Sequence, residues 1–128
     1  MKTVEAPPSP RRKRSPEALS WAFMRLSGLA LVFLALIHFS ITHIINDVVE
    51  TDYDFVAERW HNPLWRLFDW LLLVLALGHG VNGLRWIVDD YVRHPGRRKA
   101  VKALLYGLTA VLVIVGTLTI LAFPSRPR

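Results

Sequence analysis

The chain has 128 residues, of which 52% are hydrophobic and 20% are charged, and its net charge is +6. It contains no cysteine, which excludes disulfides, zinc–thiolate sites and iron–sulfur clusters held by this chain. Any redox centre must therefore depend on histidine or on an organic molecule. The charged residues are concentrated at the ends and in the connectors, so topology and anionic lipid explain the positive charge, and nucleic acid is not an expected partner.

The first segment, residues 1–16, holds four prolines and a basic run that ends at Arg14. A segment so poor in apolar residues cannot build a core, so we predict a disordered basic arm on the cytoplasmic side. Ser15-Pro16-Glu17 is typical of a helix start, with proline in the first turn. We predict one domain over residues 17–124, with helices at about 18–46, 63–92 and 98–123, and a short tail at 125–128.

Three hydrophobic runs are candidates for membrane spans. Leu26–Ile45 and Ala103–Phe123 carry no formal charge and reach the length of about 20 residues that a helix needs to cross a bilayer. The middle run, Trp70–Leu84, is long enough only if Asp69 and Arg85 lie near the two interfaces or face protein rather than lipid. The sequence therefore predicts an all-α membrane protein with three transmembrane helices.

The two connectors have opposite charge, which predicts the orientation. The first carries five acidic residues against one arginine: Asp47, Glu50, Asp52, Asp54 and Glu58. The second carries five basic residues: Arg93, Arg97, Arg98, Lys99 and Lys102. By the positive-inside rule, the amino terminus and the second connector are cytoplasmic, and the carboxyl terminus lies outside. We expect a multi-pass protein of the cell's inner (cytoplasmic) membrane.

Polar side chains deep in a membrane span are candidates for function. His79 lies 11 residues before Asp90, or roughly 16 Å along a helix, which places it near the middle of the bilayer. A histidine there can hydrogen-bond a neighbouring helix, relay protons or ligate a metal. Gly80 and Gly83 leave room beside it for another backbone or a flat macrocycle. Arg85 suits a macrocycle's propionate or a phospholipid headgroup, or it snorkels to phosphate.

A second histidine competes for the role of metal ligand. His38 lies 13 residues after Arg25, or roughly 20 Å along the first helix, and we expect it within about a turn of the depth of His79. The neighbours of His38 in Leu36-Ile37-His38-Phe39-Ser40 are bulkier than the glycines beside His79. This difference favours His79 as the ligand, with His38 as the alternative.

Polar groups of the first two spans are predicted to meet near the cytoplasmic surface. Arg25 and Ser27 are expected at about the level of Asp90 and Tyr91, which end the second span. A carboxylate beside a phenol can steer protons and donate a hydrogen bond to a quinone carbonyl, although such residues at a helix end more often cap or anchor it. The shared depth predicts a site between the two spans.

The stretch from His79 to Arg93 resembles the second transmembrane helix of the small membrane-anchor subunits of succinate dehydrogenase (succinate:quinone oxidoreductase). In that family, a histidine that ligates haem b precedes an Asp-Tyr pair by 11 residues, and the tyrosine hydrogen-bonds ubiquinone or menaquinone. His79, Asp90 and Tyr91 match this spacing. The Arg-x-Ser-Gly that starts at Arg25 and the His-x-x-x-Gly-x-Arg that ends at Arg85 are similar to the companion, cytochrome b556-type subunit.

Three departures from the companion pattern favour the D-type anchor over the C-type. Met24 and Trp86 stand where the companion pattern has histidines, and Trp21 stands where it has a serine. The resemblance covers the three-helix topology, its orientation and both polar clusters, and therefore most of the chain except its two ends.

The resemblance implies an anchor that docks the flavoprotein and iron–sulfur subunits of the respiratory complex of the tricarboxylic acid cycle. It implies haem b with His79 as one axial ligand to the iron, and a second, cytochrome b556-type anchor subunit as donor of the other. It implies a quinone-reduction site but no dehydrogenase centre in this chain, and we assign no catalytic residue. The quinone-site residues would be Arg25, Ser27, Asp90 and Tyr91.

Two alternatives stay open at this point. An anchor of fumarate reductase would have the same architecture, because the direction of reaction depends on the quinone potential and on the partner subunits. A haem-free membrane subunit would use His79 and His38 only to bridge helices.

Overall fold

A computed structural model describes residues 15–124 of the chain, and within that range the regular structure is helical throughout. Residues 1–14 of the predicted basic arm and the predicted tail at 125–128 lie outside the described residues. Helix α1 spans Pro16–Phe39, and a π-helical segment continues it over Ser40–Ile45. A short helix, α2, spans Tyr53–Arg59, and two long helices follow: α3 at Pro63–Tyr91 and α4 at Pro95–Ala122.

The helix starts have local causes that the sequence contains. Each of the three long helices begins with proline in its first turn, where the missing N–H costs nothing. Ser15 caps α1 by accepting a hydrogen bond from the N–H of Ala18, and Asn62 caps α3 by accepting one from Leu64. These caps fix where two spans begin, and therefore where each side chain lies along its helix.

Three helical stretches are long and apolar enough to cross a membrane: Pro16–Ile45, Pro63–Tyr91 and Pro95–Ala122. This confirms the predicted all-α architecture with three candidate spans. In the described part of the chain only Ala57, Val88 and Ile120 form a buried apolar core. Large apolar side chains along the outer faces of α1 and α4 are exposed instead, as expected where lipid or other subunits cover the helices.

Helix α3 packs along both α1 and α4 and so forms the centre of the arrangement. Against α4 the contact is close, because a Cβ placed on Gly116 would lie 2.5 Å from Cδ2 of Leu73. At the end of this contact, Arg66 donates hydrogen bonds to the carbonyl oxygens of Leu121 (3.1 Å) and Phe123 (2.8 Å). The start of α3 thereby satisfies carbonyl groups at the end of α4 that have no partner within their own helix.

Candidate functional site between α1 and α3

One end of the α1–α3 contact is built from hydroxyl, imidazole, amide and guanidinium groups. We call it the serine end, and its residues are Ser20, Ser27, His79, Asn82 and Arg85. Ser27 is only 3% exposed, and its Oγ lies 3.0 Å from Nδ1 of His79. The same Oγ donates a hydrogen bond of 2.6 Å to the carbonyl of Phe23, one turn earlier. His79 is therefore held by a side chain of the neighbouring helix.

Small residues allow this approach on both helices. A Cβ placed on Gly28 would lie 3.2 Å from Cε1 of His79, and one placed on Gly78 would lie 3.2 Å from Cζ of Phe23. Both values are tighter than ordinary van der Waals contact. A Cβ on Gly80, in contrast, would meet no described atom within 4 Å, so the chain leaves space on that side of the histidine.

Three to six residues further along α3, a second set of contacts joins the same helices. The hydroxyl of Ser20 donates to Oδ1 of Asn82 at 2.9 Å and accepts from Nη2 of Arg85 at 2.9 Å. Arg85 thus faces protein, as the length of the second span requires. Its Nε is buried and has no hydrogen-bond partner among residues 15–124. An anionic or carbonyl oxygen from outside the described chain would satisfy that donor.

The structure separates the residues that the sequence pattern placed in one quinone site. Asp90 and Tyr91 are exposed in the last turn of α3, with Tyr91 82% exposed. Ser27 lies beside His79 instead, 12 residues or roughly 18 Å along α3 from Tyr91. Arg25 is exposed, and its guanidinium lies 4.3 Å from the ring centre of Trp21. The prediction that Arg25 and Ser27 lie at the same depth as Asp90 and Tyr91 is therefore wrong.

The physical reason is that the edge of a hydrophobic run is not the end of its helix. The prediction set Arg25, which precedes the first hydrophobic run, level with Asp90 in the last turn of α3, but α1 extends more than two turns before Arg25, to Pro16. The whole of α1 is thereby displaced along α3. The predicted depth of His38 is wrong for the same reason: it pairs with Asp69, ten residues or roughly 15 Å along α3 from His79.

The opposite end of the contact is built around a carboxylate. We call it the aspartate end, and its residues are His38, Arg59, Trp60 and Asp69. Oδ1 of Asp69 lies 3.0 Å from Nη2 of Arg59 and 3.3 Å from Nδ1 of His38, and Oδ2 accepts from Nε1 of Trp60 at 2.7 Å. The Asp69 side chain is 11% exposed and that of Arg59 10%. As the span length requires, Asp69 faces protein.

A cavity of about 590 Å³ opens beside the aspartate end. Its walls are mostly apolar side chains from α2, α3 and α4, and His38, Arg59 and Asp69 supply polar groups. The His38 side chain is 42% exposed. His38 therefore keeps the accessibility that a ligand needs, and the structure leaves it as the alternative to His79.

The third membrane histidine, His43, is exposed and stacks on Phe39 with ring centres 4.6 Å apart. No three His, Cys, Asp or Glu side chains between residues 15 and 124 come together as a metal site. A haem iron takes single imidazoles from separate helices or subunits and needs no such cluster. His79 fits that role, since its Nδ1 is engaged, its Nε2 is not, and Gly80 leaves open space beside it.

Sequence reasoning missed Ser20 and the partners of Asp69. Ser20 precedes the first hydrophobic run, and a serine outside such a run is not marked as a functional candidate by its position. The signal for Arg59 and Trp60 was present, because they lie ten and nine residues before an acidic residue that the second span could not expose to lipid.

The family model for the succinate dehydrogenase/fumarate reductase transmembrane subunit matches residues 5–116. The chain belongs to this family. The match includes both ends of the α1–α3 contact and most of α4. The chain is therefore a membrane-anchor subunit of the succinate dehydrogenase family, as the resemblance in the sequence implied.

Relatives in other organisms agree with this assignment. The succinate dehydrogenase hydrophobic membrane anchor subunit of Archaeoglobus fulgidus is 34% identical over 89 residues, which are 69% of this chain and 74% of that protein. The subunit of the same name in Thermoplasma acidophilum is 27% identical over 93 residues, 73% of this chain and 76% of that protein. A membrane subunit of succinate dehydrogenase 2 of Mycobacterium tuberculosis is 25% identical over 109 residues, 85% and 79% of the two chains.

Proposed function

We propose that this subunit holds haem b through His79 and forms part of a quinone-reduction site at the carboxyl end of α3. The observation that carries the haem assignment is the engaged Nδ1 of His79 in a glycine-lined part of the helix contact. Haem b, when bound, supplies a one-electron carrier within the membrane. A second anchor subunit, of the cytochrome b556 type, donates the other axial histidine.

The quinone assignment rests on Asp90 and Tyr91. Tyr91 lines a surface hollow of about 410 Å³ together with Arg93, His94 and Arg97. The phenol of Tyr91 donates a hydrogen bond to a quinone carbonyl, and the carboxyl of Asp90 assists its protonation. Ubiquinone and menaquinone both fit these contacts. Arg25 and Ser27, which lie away from Tyr91, are not needed for this smaller site.

The basic connector at this end supports a cytoplasmic orientation and a docking role. Arg93 is exposed between α3 and α4, and Arg97 and Lys99 are exposed in the first two turns of α4. In the proposed orientation they face the flavoprotein and iron–sulfur subunits in the cytoplasm, and the chain lies in the inner (cytoplasmic) membrane with its carboxyl terminus outside. The same arrangement serves a fumarate reductase, in which electrons run in the opposite direction.

Optical spectra test the haem assignment. The complex is purified through this subunit as wild type, His79→Ala and His38→Ala, with His43→Ala as the control for loss of a membrane histidine. We expect a dithionite-reduced b-type α-band in the wild type and in the His38 and His43 variants, and its loss in His79→Ala. Loss only in His38→Ala would move the ligand to the aspartate end. The absence of the band from the wild type would show a haem-free anchor.

Quinone reduction is tested with Tyr91→Phe, and the control is Tyr106→Phe, which removes an exposed phenol from α4. We expect the rate of quinone reduction by succinate to fall roughly tenfold in Tyr91→Phe, equivalent to about 1.4 kcal/mol for one hydrogen bond in the transition state. Succinate oxidation with an artificial acceptor that bypasses quinone stays unchanged. Equal rates in the two variants would contradict the role of Tyr91.

A further inference from the structure

The contact between His79 and Ser27 specifies more than proximity, because it defines where the imidazole proton lies. The two atoms are 3.0 Å apart, and Ser27 is 3% exposed. Neutral imidazole carries one hydrogen, on either Nδ1 or Nε2, and only the other nitrogen has a lone pair for a metal. Which nitrogen carries the hydrogen depends on whether the serine hydroxyl donates a hydrogen bond to Nδ1 or accepts one from it.

The serine has a single hydroxyl hydrogen, and the distances around Oγ indicate its acceptor. Oγ of Ser27 lies 2.6 Å from the carbonyl oxygen of Phe23 and 3.4 Å from that of Met24. Both carbonyls can only accept, and the shorter distance identifies Phe23 as the acceptor. With its hydrogen committed to the backbone, Ser27 presents only lone pairs to His79. Nδ1 of His79 must therefore carry the hydrogen and donate it to Oγ.

We propose that Ser27 is a positioning residue that holds His79 as the Nδ1–H tautomer and so directs its Nε2 lone pair to haem iron. This inference rests on the proposed ligation of haem by His79. No hydrogen bond from residues 15–124 reaches Nε2. Donation from Nδ1 to an oxygen also makes the imidazole a stronger base toward the metal, as contacts to the outer nitrogen of metal-bound histidines generally do.

The same pairing occurs once more on the first span, and the comparison shows what is particular to Ser27. Thr42 Oγ1 donates to the carbonyl of His38 at 2.9 Å and lies 2.7 Å from Nδ1 of His43. That pair joins two neighbouring residues, and the His43 ring is exposed. Ser27 and Thr42 are both buried, but the Ser27 pair joins two helices. Ser27 therefore fixes the imidazole relative to α1 as well as its proton.

The test compares the haem of purified complexes that contain wild type, Ser27→Ala or Ser27→Thr. The readouts are haem content per flavin and the haem midpoint potential. In Ser27→Ala the imidazole loses its acceptor and becomes a weaker base, so ferric iron is stabilised less. We expect a more positive midpoint potential and a haem affinity lower by roughly 10-fold to 100-fold. Ser27→Thr keeps the hydroxyl and is expected to restore both readouts to wild-type values.

The control is Thr109→Ala, which removes a hydroxyl that bonds only the carbonyl of Leu105 in its own helix, at 2.8 Å. If Ser27→Ala does not assemble, Ser27→Cys replaces it, because a thiol of similar size is a much weaker acceptor. Wild-type potential and haem content in the Ala or Cys variant would overturn the inference, as would an equal shift in Ser27→Thr. Retention of the haem band in His79→Ala would overturn the proposed ligation as well, so the two failures are distinguishable.

Discussion

The serine end and the aspartate end lie along the same pair of helices but hold them together by different chemistry. At the serine end, the hydroxyls of Ser20 and Ser27 make short contacts between α1 and α3, and neither contact includes a carboxylate. At the aspartate end, one buried carboxylate collects three donors from α1, α2 and the turn after α2. One end therefore has no ion pair, and the other depends on one.

The two ends also differ in the groups that they leave without a partner. At the aspartate end both oxygens of Asp69 are occupied, while Nε of Arg59 is buried and has no partner among residues 15–124. The serine end leaves donors and acceptors for something else, since Nε2 of His79 and Nε of Arg85 have no partner in the part of the chain that the structure describes. The first arrangement holds α2 against α3 through an ion pair, and the second leaves Nε2 of His79 for the proposed haem.

The largest effect on stability is expected from Asp69→Asn, which removes the carboxylate on which the aspartate end depends. The substitution leaves the guanidinium of Arg59 without its carboxylate, and removing one member of a buried ion pair costs roughly 3–5 kcal/mol. We expect a clearly lower midpoint temperature for dissociation of the purified complex. The double variant Arg59→Met with Asp69→Leu replaces both charges by apolar groups and should recover most of the loss. A wild-type midpoint in Asp69→Asn would show that the ion pair does not hold the fold.

A smaller effect is expected from Ser20→Ala at the serine end. The variant removes the oxygen that joins Asn82 to Arg85, and one neutral or singly charged hydrogen bond contributes about 1 kcal/mol. Arg85 has a long stem and can reach the headgroup region instead, which limits the loss. The same dissociation midpoint is measured against Thr109→Ala. A loss as large as that of Asp69→Asn would remove the proposed distinction between the two ends.

The three spans were predictable because their signal is local. Length and apolar content decide whether a helix can cross a bilayer, and neither requires knowledge of the partner helix. The expectation that Asp69 lies near an interface or faces protein was also correct, since a carboxylate exposed to lipid is costly. Helix α2 was missed because it has only seven residues and lies in an acid-rich connector, although Asp52 is a recognisable cap for it.

The position of one helix along the axis of its neighbour could not be predicted from the sequence. It depends on which side chains of α1 and α3 meet, here Ser27 and His79, and on which small residues allow the backbones to approach, here Gly28 and Gly78. Hydropathy is insensitive to both. For this reason the histidine, the arginine and the Asp-Tyr pair could be recognised individually as candidates, whereas the partner of His79 could be identified only from the structure.

The pairing of Arg59 also changes the charge of the loop between the first two spans. Arg59 is the only lysine or arginine between Asn46 and Pro63, in the loop that must be translocated in the proposed orientation. Its pairing with Asp69 cancels that positive charge and, at the same time, the one acidic charge near the start of the second span. Translocation is resisted chiefly by basic side chains, while acidic ones matter little. In the folded chain, the contact between α2 and α3 therefore neutralises the one charged basic side chain between Asn46 and Pro63.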